Sequence, residues 1–186
     1  MEIQVKRKST SAVDKYDILV NENITMYAVK KVMKLLSSIE LFSLSSKSIL
    51  NIDQVPAILK SKYRISYNEN SKDYFFKSLS IWKQHWGCSK DENSFDIYGH
   101  KGLKYSVFQD DKQVAAFERQ SIVSFKEDIC NIEIDHDADL NLIIAFSLII
   151  SDLDKNDGND ANNVNVNLGN IGPEAREFDA TWRPKE

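Results

Sequence analysis

The clearest order in this chain is an alternation of apolar and polar positions with period two. Phe95-Asp96-Ile97-Tyr98 alternates, Gly99-His100-Lys101-Gly102 reads as a turn, and the pattern resumes from Leu103 to Phe108. Gln109-Asp110-Asp111-Lys112 then turns the chain into Gln113-Val114-Ala115-Ala116-Phe117. Successive side chains of a strand point to opposite faces, so this pattern between polar turns predicts antiparallel hairpins. Residues 119–125 and 129–134 predict two further short strands, and 63–67 and 74–82 two more. An echo of the first unit lies near the start. Tyr16-Asp17-Ile18-Leu19, a polar Asn21-Glu22-Asn23 turn and Met26-Tyr27-Ala28-Val29 repeat the order aromatic, Asp, Ile, apolar, turn, Tyr-x-Val. A meander of similar hairpins follows from such a repeat.

Two segments admit a second period. Met26, Val29, Met33 and Leu36 share one helical face and Lys30, Lys31 and Lys34 the opposite one, which describes an amphipathic helix with a basic stripe. The echo and the β-rich surroundings favour a strand over 26–36. The second is Leu140-Asn141-Leu142-Ile143-Ile144-Ala145-Phe146-Ser147-Leu148-Ile149-Ile150, preceded by Asp135, Asp137 and Asp139. Acidic residues suit a helix N-terminus, where free N–H groups and the helix dipole favour negative charge. A helix of ~12 residues is about 18 Å long, and one apolar on nearly every side must be buried on nearly every side. A buried central strand is the competing reading, because β-branched residues are dense here. Spanning a bilayer needs about 20 apolar residues, so the run is too short for that.

Composition divides the chain into a polar lead-in over 1–14, a core region over 15–154, and a tail over 155–186 whose first part is crowded with Asn, Asp and Gly. That first part has too few apolar groups to offset its ordering entropy and reads as a linker. Phe178 and Trp182 near the end could dock on the domain or on a partner, or simply fray.

With 186 residues, 42% of them hydrophobic and 28% charged, the chain is long enough for one well-buried domain. A net charge of −4 argues against general nucleic-acid binding, which needs a basic surface. Cys88 and Cys130 are the two cysteines. A far-spaced pair in a chain of this size suits reduced thiols in the cytoplasm. The first fifteen residues lack the apolar stretch of a signal peptide, so a soluble cytoplasmic protein is expected.

A series of short hairpins followed by an acidic lead into an all-apolar helix resembles the tubby C-terminal domain-like superfamily, and within it the small LURP-one-related and bacterial tubby-like proteins. The residues that carry the resemblance are Phe95-Asp96-Ile97-Tyr98 with Tyr105-Ser106-Val107, then Val114-Ala115-Ala116-Phe117, and above all Ile134 to Ile150. It covers about residues 16–154. The resemblance implies a mainly β fold, a closed antiparallel barrel of about twelve strands around a central hydrophobic C-terminal helix. Relatives on this fold include phosphoinositide-binding tubby domains and phospholipid scramblases. No lipid-contacting residue of theirs maps onto this chain, and the Asn-rich tail departs from the family pattern.

Candidate chemistry is sparse. His85-Trp86-Gly87-Cys88 offers half of a zinc site, but His100, His136 and Cys130 supply no paired spacing. A strand-end turn with an incidental thiol is the plainer reading. Asp135, His136, Asp137 and Asp139 could hold a cation or cap the following helix, and capping is favoured. Asp152-Leu153-Asp154-Lys155-Asn156-Asp157-Gly158 approaches a calcium loop, yet its Gly falls one place late and Asn163 stands where the bidentate Glu belongs. No nucleophile–base pair and no phosphate-cradling glycine loop can be named. Catalytic residues, metal ligands and cofactors are therefore not expected.

The densest basic group is Lys30, Lys31 and Lys34, with Lys60, Lys62 and Arg64 as a second. Such clusters suit anionic phospholipid headgroups, where each charge near the surface is worth about 1 kcal/mol, and equally suit an ordinary solvated face. The expected function is a non-enzymatic tubby-like binding or scaffold domain, peripheral to a membrane through Lys30, Lys31 and Lys34. The alternative is a protein-interaction or regulatory module that recruits a partner through Phe178 and Trp182.

Overall fold

A computed structural model describes residues 1–9, 13–33, 36–57, 61–68, 73–80, 82–121, 128–157 and 173–185. The alternation becomes a meander of twelve strands, β1 (Glu2–Ser9), β2 (Asp14–Val20), β3 (Asn23–Met33), β4 (Leu36–Ser43), β5 (Ser48–Val55), β6 (Lys62–Tyr67), β7 (Tyr74–Ser78), β8 (His85–Lys90), β9 (Asn93–His100), β10 (Lys104–Gln109), β11 (Lys112–Ser121) and β12 (Asp128–Ile134). Each strand pairs antiparallel with its neighbours in sequence, and β1 pairs with β12 to close the barrel. Closure leaves no free sheet edge.

The helix α1 (Leu140–Asp157) threads this barrel. Residues 142–150 are all buried. Phe146 meets Phe76 of β7 and Phe95 of β9 at ring centroid distances of 5.8 and 5.6 Å. Further along, Asp152 meets β3, β4 and β6, and Asp154 meets β11. A helix touched from so many parts of the wall fills the lumen, which explains why it is apolar on every side. The helical reading of 140–150 therefore holds over the strand. The helix is longer than the apolar run predicts, and in its polar continuation Ser151, Asp152 and Asp154 find partners in the barrel wall. At 18 residues it spans about 27 Å.

Asp139 caps the helix, its Oδ1 accepting from the N–H of Leu142 at 3.1 Å and from the hydroxyl of Tyr67 at 2.8 Å. This satisfies one of the free N–H groups of the first turn. The two-residue connections Asn21-Glu22 and Asp110-Asp111 have positive φ throughout, at 47° and 67° and at 50° and 62°. That is the backbone twist a tight antiparallel hairpin requires.

Several boundaries correct the sequence reading. The lead-in over 1–14 is not loose: Ile3 and Val5 point into the core and β1 is the closing strand. The barrel domain thus begins at Glu2 rather than at 15, and α1 extends it to Asp157. Gly99 and His100 belong to β9, and the turn lies over 101–103. Residues 119–121 continue β11 instead of starting a new strand, and 122–127 lie outside the described residues. β7 stops at Ser78, well before Trp82. The segment from Met26 is strand, as the echo predicts. Two strands, β4 and β5, and β8 over His85–Lys90 were not predicted. The linker over 158–172 lies outside the described residues, while 155–157 close the helix.

Candidate functional site: the outer surface and its two ends

Because α1 occupies the lumen, a ligand must be met on the outside or at the ends of the barrel. At the C-terminal end of α1 a polar network is buried. Asp152 is fully buried and forms an ion pair with Lys30, itself only 9% exposed. It also accepts from the hydroxyls of Ser37 at 2.6 Å and Tyr63 at 2.8 Å. Beside it, the Arg119 guanidinium bridges Asp128, at 2.6 Å, and Asp154. Burial works against the charge on Arg119, but the two carboxylates outweigh it and hold its proton more tightly than usual. Burial likewise pushes the hydroxyls of Tyr16 and Tyr105, at this same end, above the ordinary tyrosine range.

This network redefines the proposed lysine stripe. In a strand, neighbouring residues face opposite sides. Lys30 therefore points into the barrel to neutralise Asp152, whereas Lys31 points out, 59% exposed and 3.7 Å from Glu40. Lys34 lies outside the described residues. The three do not form one lipid-facing stripe, since a lysine engaged with a buried carboxylate is not offered to a headgroup.

The ends of the barrel differ in charge. At the N-terminal end of α1 the described connecting residues carry Glu22, Asp73, Asp91, Glu92, Asp110, Asp111, Asp135, Asp137 and Asp139 against Lys47. At the opposite end the described connecting residues carry Lys83 and Lys101 and no carboxylate. Strand positions close to that end add Lys31, Lys62 and Lys77 on the outside, with Glu40 beside Lys31, the exposed Glu118, and Glu174 of the tail at Lys101 as the carboxylates nearby. Arg64, from the second predicted cluster, is committed to Asp53 at 3.3 Å and Asp73 at 3.8 Å. Lys60 lies outside the described residues.

The same end carries an exposed apolar feature. The connection from β7 to β8 starts with Leu79, whose N–H donates to the carbonyl of His85 at 2.9 Å. Ser80 Oγ accepts from the N–H groups of Trp82 and Lys83 at 3.3 and 3.0 Å. Two glycines seat this connection on the sheet. A Cβ on Gly87 would lie 2.9 Å from Leu79 Cδ1, and one on Gly99 would lie 2.3 Å from Gln84 Oε1. Trp82 is 87% exposed, with Leu79 and Phe75 also exposed nearby in sequence.

The tail over 173–185 lies on the outer wall. Glu174 accepts from the N–H of Lys101 at 3.0 Å and meets His100 Nδ1 at 3.2 Å, while His100 Nε2 meets Ser106 Oγ at 2.8 Å. The Arg176 guanidinium sits 3.7 Å from the Phe108 ring. Farther on, the Lys185 N–H donates to Asp135 at 2.7 Å. His100 is thereby buried, which depresses its pKa; the Glu174 contacts oppose that but do not overcome it. For Glu174, burial acts upward, yet the bonds from Lys101 and His100 prevail and hold its carboxyl below the usual range. Phe178 and Trp182 dock half-buried, lining a groove of about 280 Å³ with Lys104, Asn131, Glu133 and Arg183.

The metal and nucleophile candidates are not assembled. His85 points outward to Asp96, at 2.7 Å, while Cys88 points into the core, on the opposite face of β8. Among the described residues no group of His, Cys, Asp and Glu is arranged to hold a metal ion. Both thiols are free and buried; burial pushes Cys130 up to about 12 and Cys88 higher still. Asp152 and Asp154 are helical residues paired within the fold, not ligands of a calcium loop. No helix is long and apolar enough to cross a membrane among the described residues.

Of these features, the sequence reading missed Arg119, His100 with Glu174, and the exposure of Trp82. A lone arginine in an alternating strand and a glutamate in the tail carry no local signal of what they will meet. Comparison of the chain with protein-family models, curated proteins and solved structures gave no match. Only the geometry of its own residues bears on what it does.

Proposed function

We propose that this chain is a non-enzymatic, tubby-like binding domain of the cytoplasm that docks peripherally on anionic phospholipid. The observation that carries the reading is the separation of charge between the two ends of the barrel. A body of net charge −4 is repelled as a whole by an anionic surface, but one with an acidic end and a basic end is oriented by it. The basic end then approaches within a screening length of about 8 Å, where each lysine contributes about 1 kcal/mol. Lys62, Lys77, Lys83 and Lys101 are the residues available for this, with Lys31 shared with Glu40. The filled lumen supports the reading too, since it leaves an external surface as the place of contact.

Co-sedimentation of the full chain with vesicles tests it. Binding is expected with vesicles containing phosphatidylserine and not with phosphatidylcholine alone, and raising the salt should weaken it. Failure to bind at low salt refutes the proposal. A second reading has one observation of its own: Trp182 lines a groove beside Phe178 that a peptide side chain could enter. If the tail captures a protein partner, removing 173–186 abolishes capture and leaves lipid binding intact.

A further inference from the structure

We propose that the connection between β7 and β8 is a membrane wedge, with Trp82 and Leu79 entering the interfacial layer of an anionic bilayer while Lys62, Lys77 and Lys83 hold the headgroups. This rests on the lipid reading above and adds the part of the surface that makes contact and the orientation it imposes.

Trp82 is 87% exposed and Leu79 48%, at the end of the barrel remote from the acidic turns. Burying large apolar side chains is favourable, and a protein that leaves a tryptophan in water on a well-braced loop has a surface suited to a second phase. Isolated exposed apolar residues elsewhere, such as Leu44, lie at the acidic end and lack this company.

The charges around the loop choose the occupant. Lys62 and Lys77 are directly paired across β6 and β7, a like-charge juxtaposition that destabilises a sheet. Among the described residues, neither they nor Lys83 forms a salt bridge to a carboxylate. Lys62 Nζ instead lies 4.6 Å from the Phe75 ring, which is 40% exposed. Unneutralised lysines beside Trp and Phe match the layering of an anionic interface, with aromatic rings at headgroup depth and ammonium groups against phosphate. Tryptophan is the residue type that favours this depth, with an apolar body and an N–H that stays hydrated.

The described residues of the loop are also held in place. Ser80 pins the N–H groups of Trp82 and Lys83, Leu79 lies over Gly87, and Gln84 lies over Gly99 with its carbonyl accepting from the Gly99 N–H at 2.8 Å. A side chain held out in advance loses little conformational entropy on insertion.

The test uses full-length protein and vesicles of phosphatidylcholine with phosphatidylserine, some carrying brominated acyl chains to quench nearby tryptophans. Trp86 faces the core and Trp182 is half-buried where the tail docks on the wall, so strong quenching should come from Trp82. Trp82→Ala, at an exposed position, should fold normally by circular dichroism, lose the quenching, and bind about tenfold or more weakly. The triple variant Lys62→Glu, Lys77→Glu, Lys83→Glu should lose about a hundredfold or more, about fivefold for each lysine removed. If wild type binds and is quenched no more than Trp82→Ala, or if Trp82→Ala binds equally well, the wedge is refuted and the lipid reading stands. If wild type binds no vesicle, both are refuted. Concentration-dependent self-association of wild type that Trp82→Ala abolishes, without vesicle binding, would make the loop an interface between copies and overturn the proposal.

Discussion

Replacing Lys30 by Met removes the charge that neutralises Asp152 while keeping a long apolar stem in the wall. The carboxylate of Asp152 is fully buried, so water cannot take over from the lost ammonium. Removing one partner of a buried ion pair costs about 3–5 kcal/mol, because the other charge is left uncompensated. Ser37 and Tyr63 still donate to Asp152, which places the expected loss near the low end, about 3 kcal/mol. For a chain of this size each kcal/mol lowers the melting temperature by about 2–4 °C, so a drop of about 6–12 °C is expected. The double variant Lys30→Met with Asp152→Leu removes both charges and takes one acceptor from each of the Ser37 and Tyr63 hydroxyls, at about 1 kcal/mol each. It should therefore be more stable than Lys30→Met alone. Urea unfolding followed by fluorescence and by circular dichroism measures all the variants and checks that the transitions coincide. A Lys30→Met loss below about 0.5 kcal/mol, or strict additivity of the single losses in the double variant, would refute the pairing. The same reasoning bears on lipid assays. Lys30→Glu would set two carboxylates together in the core and reduce binding by unfolding the barrel, so Lys31 is the informative position of that group.

Phe146→Ala should destabilise the barrel by about 3–5 kcal/mol, since the ring is fully buried between Phe76 and Phe95 and its removal leaves a cavity; thermal melts check this. Both thiols should resist Ellman's reagent in native protein and react only on unfolding, because burial raises the pKa of Cys88 and of Cys130, the latter to about 12. The docked tail should loosen as pH falls. His100 has a depressed pKa in the docked state, so its contribution is full above the ordinary histidine value of about 6.5 and declines as pH drops below it. Glu174, also depressed, adds a second loss at lower pH, below the usual carboxylate range. Hydrogen exchange over 173–185, corrected for intrinsic rates, should rise between pH 7.5 and 5.5 in wild type and lose that pH dependence in His100→Phe.

Hairpins with strict alternation, such as 95–108 and 16–29, were legible because a period of two has one physical meaning when turn residues bracket it. The apolar run 140–150 was legible as a helix needing burial on every side, and the family resemblance supplied the enclosing barrel. What escaped included strands that mix polar with apolar residues at their inward positions. β1 offers only Ile3 and Val5 before Arg7, and β4 places Ser37 inside, where it serves Asp152. Such residues look like solvent-facing ones until a partner more than a hundred positions away is in place. Lys30 shows the same limit: its sequence neighbours make it one of a basic cluster, while strand geometry turns it away from them and an aspartate in the helix claims it. The tail is the converse case, a polar segment kept against the wall by contacts of Glu174 and Arg176 with residues of β9, β10 and the turn between them. Local pattern reports which face an apolar side chain seeks; it is silent on which distant charge a polar side chain will meet, because that energy exists only once the barrel has closed.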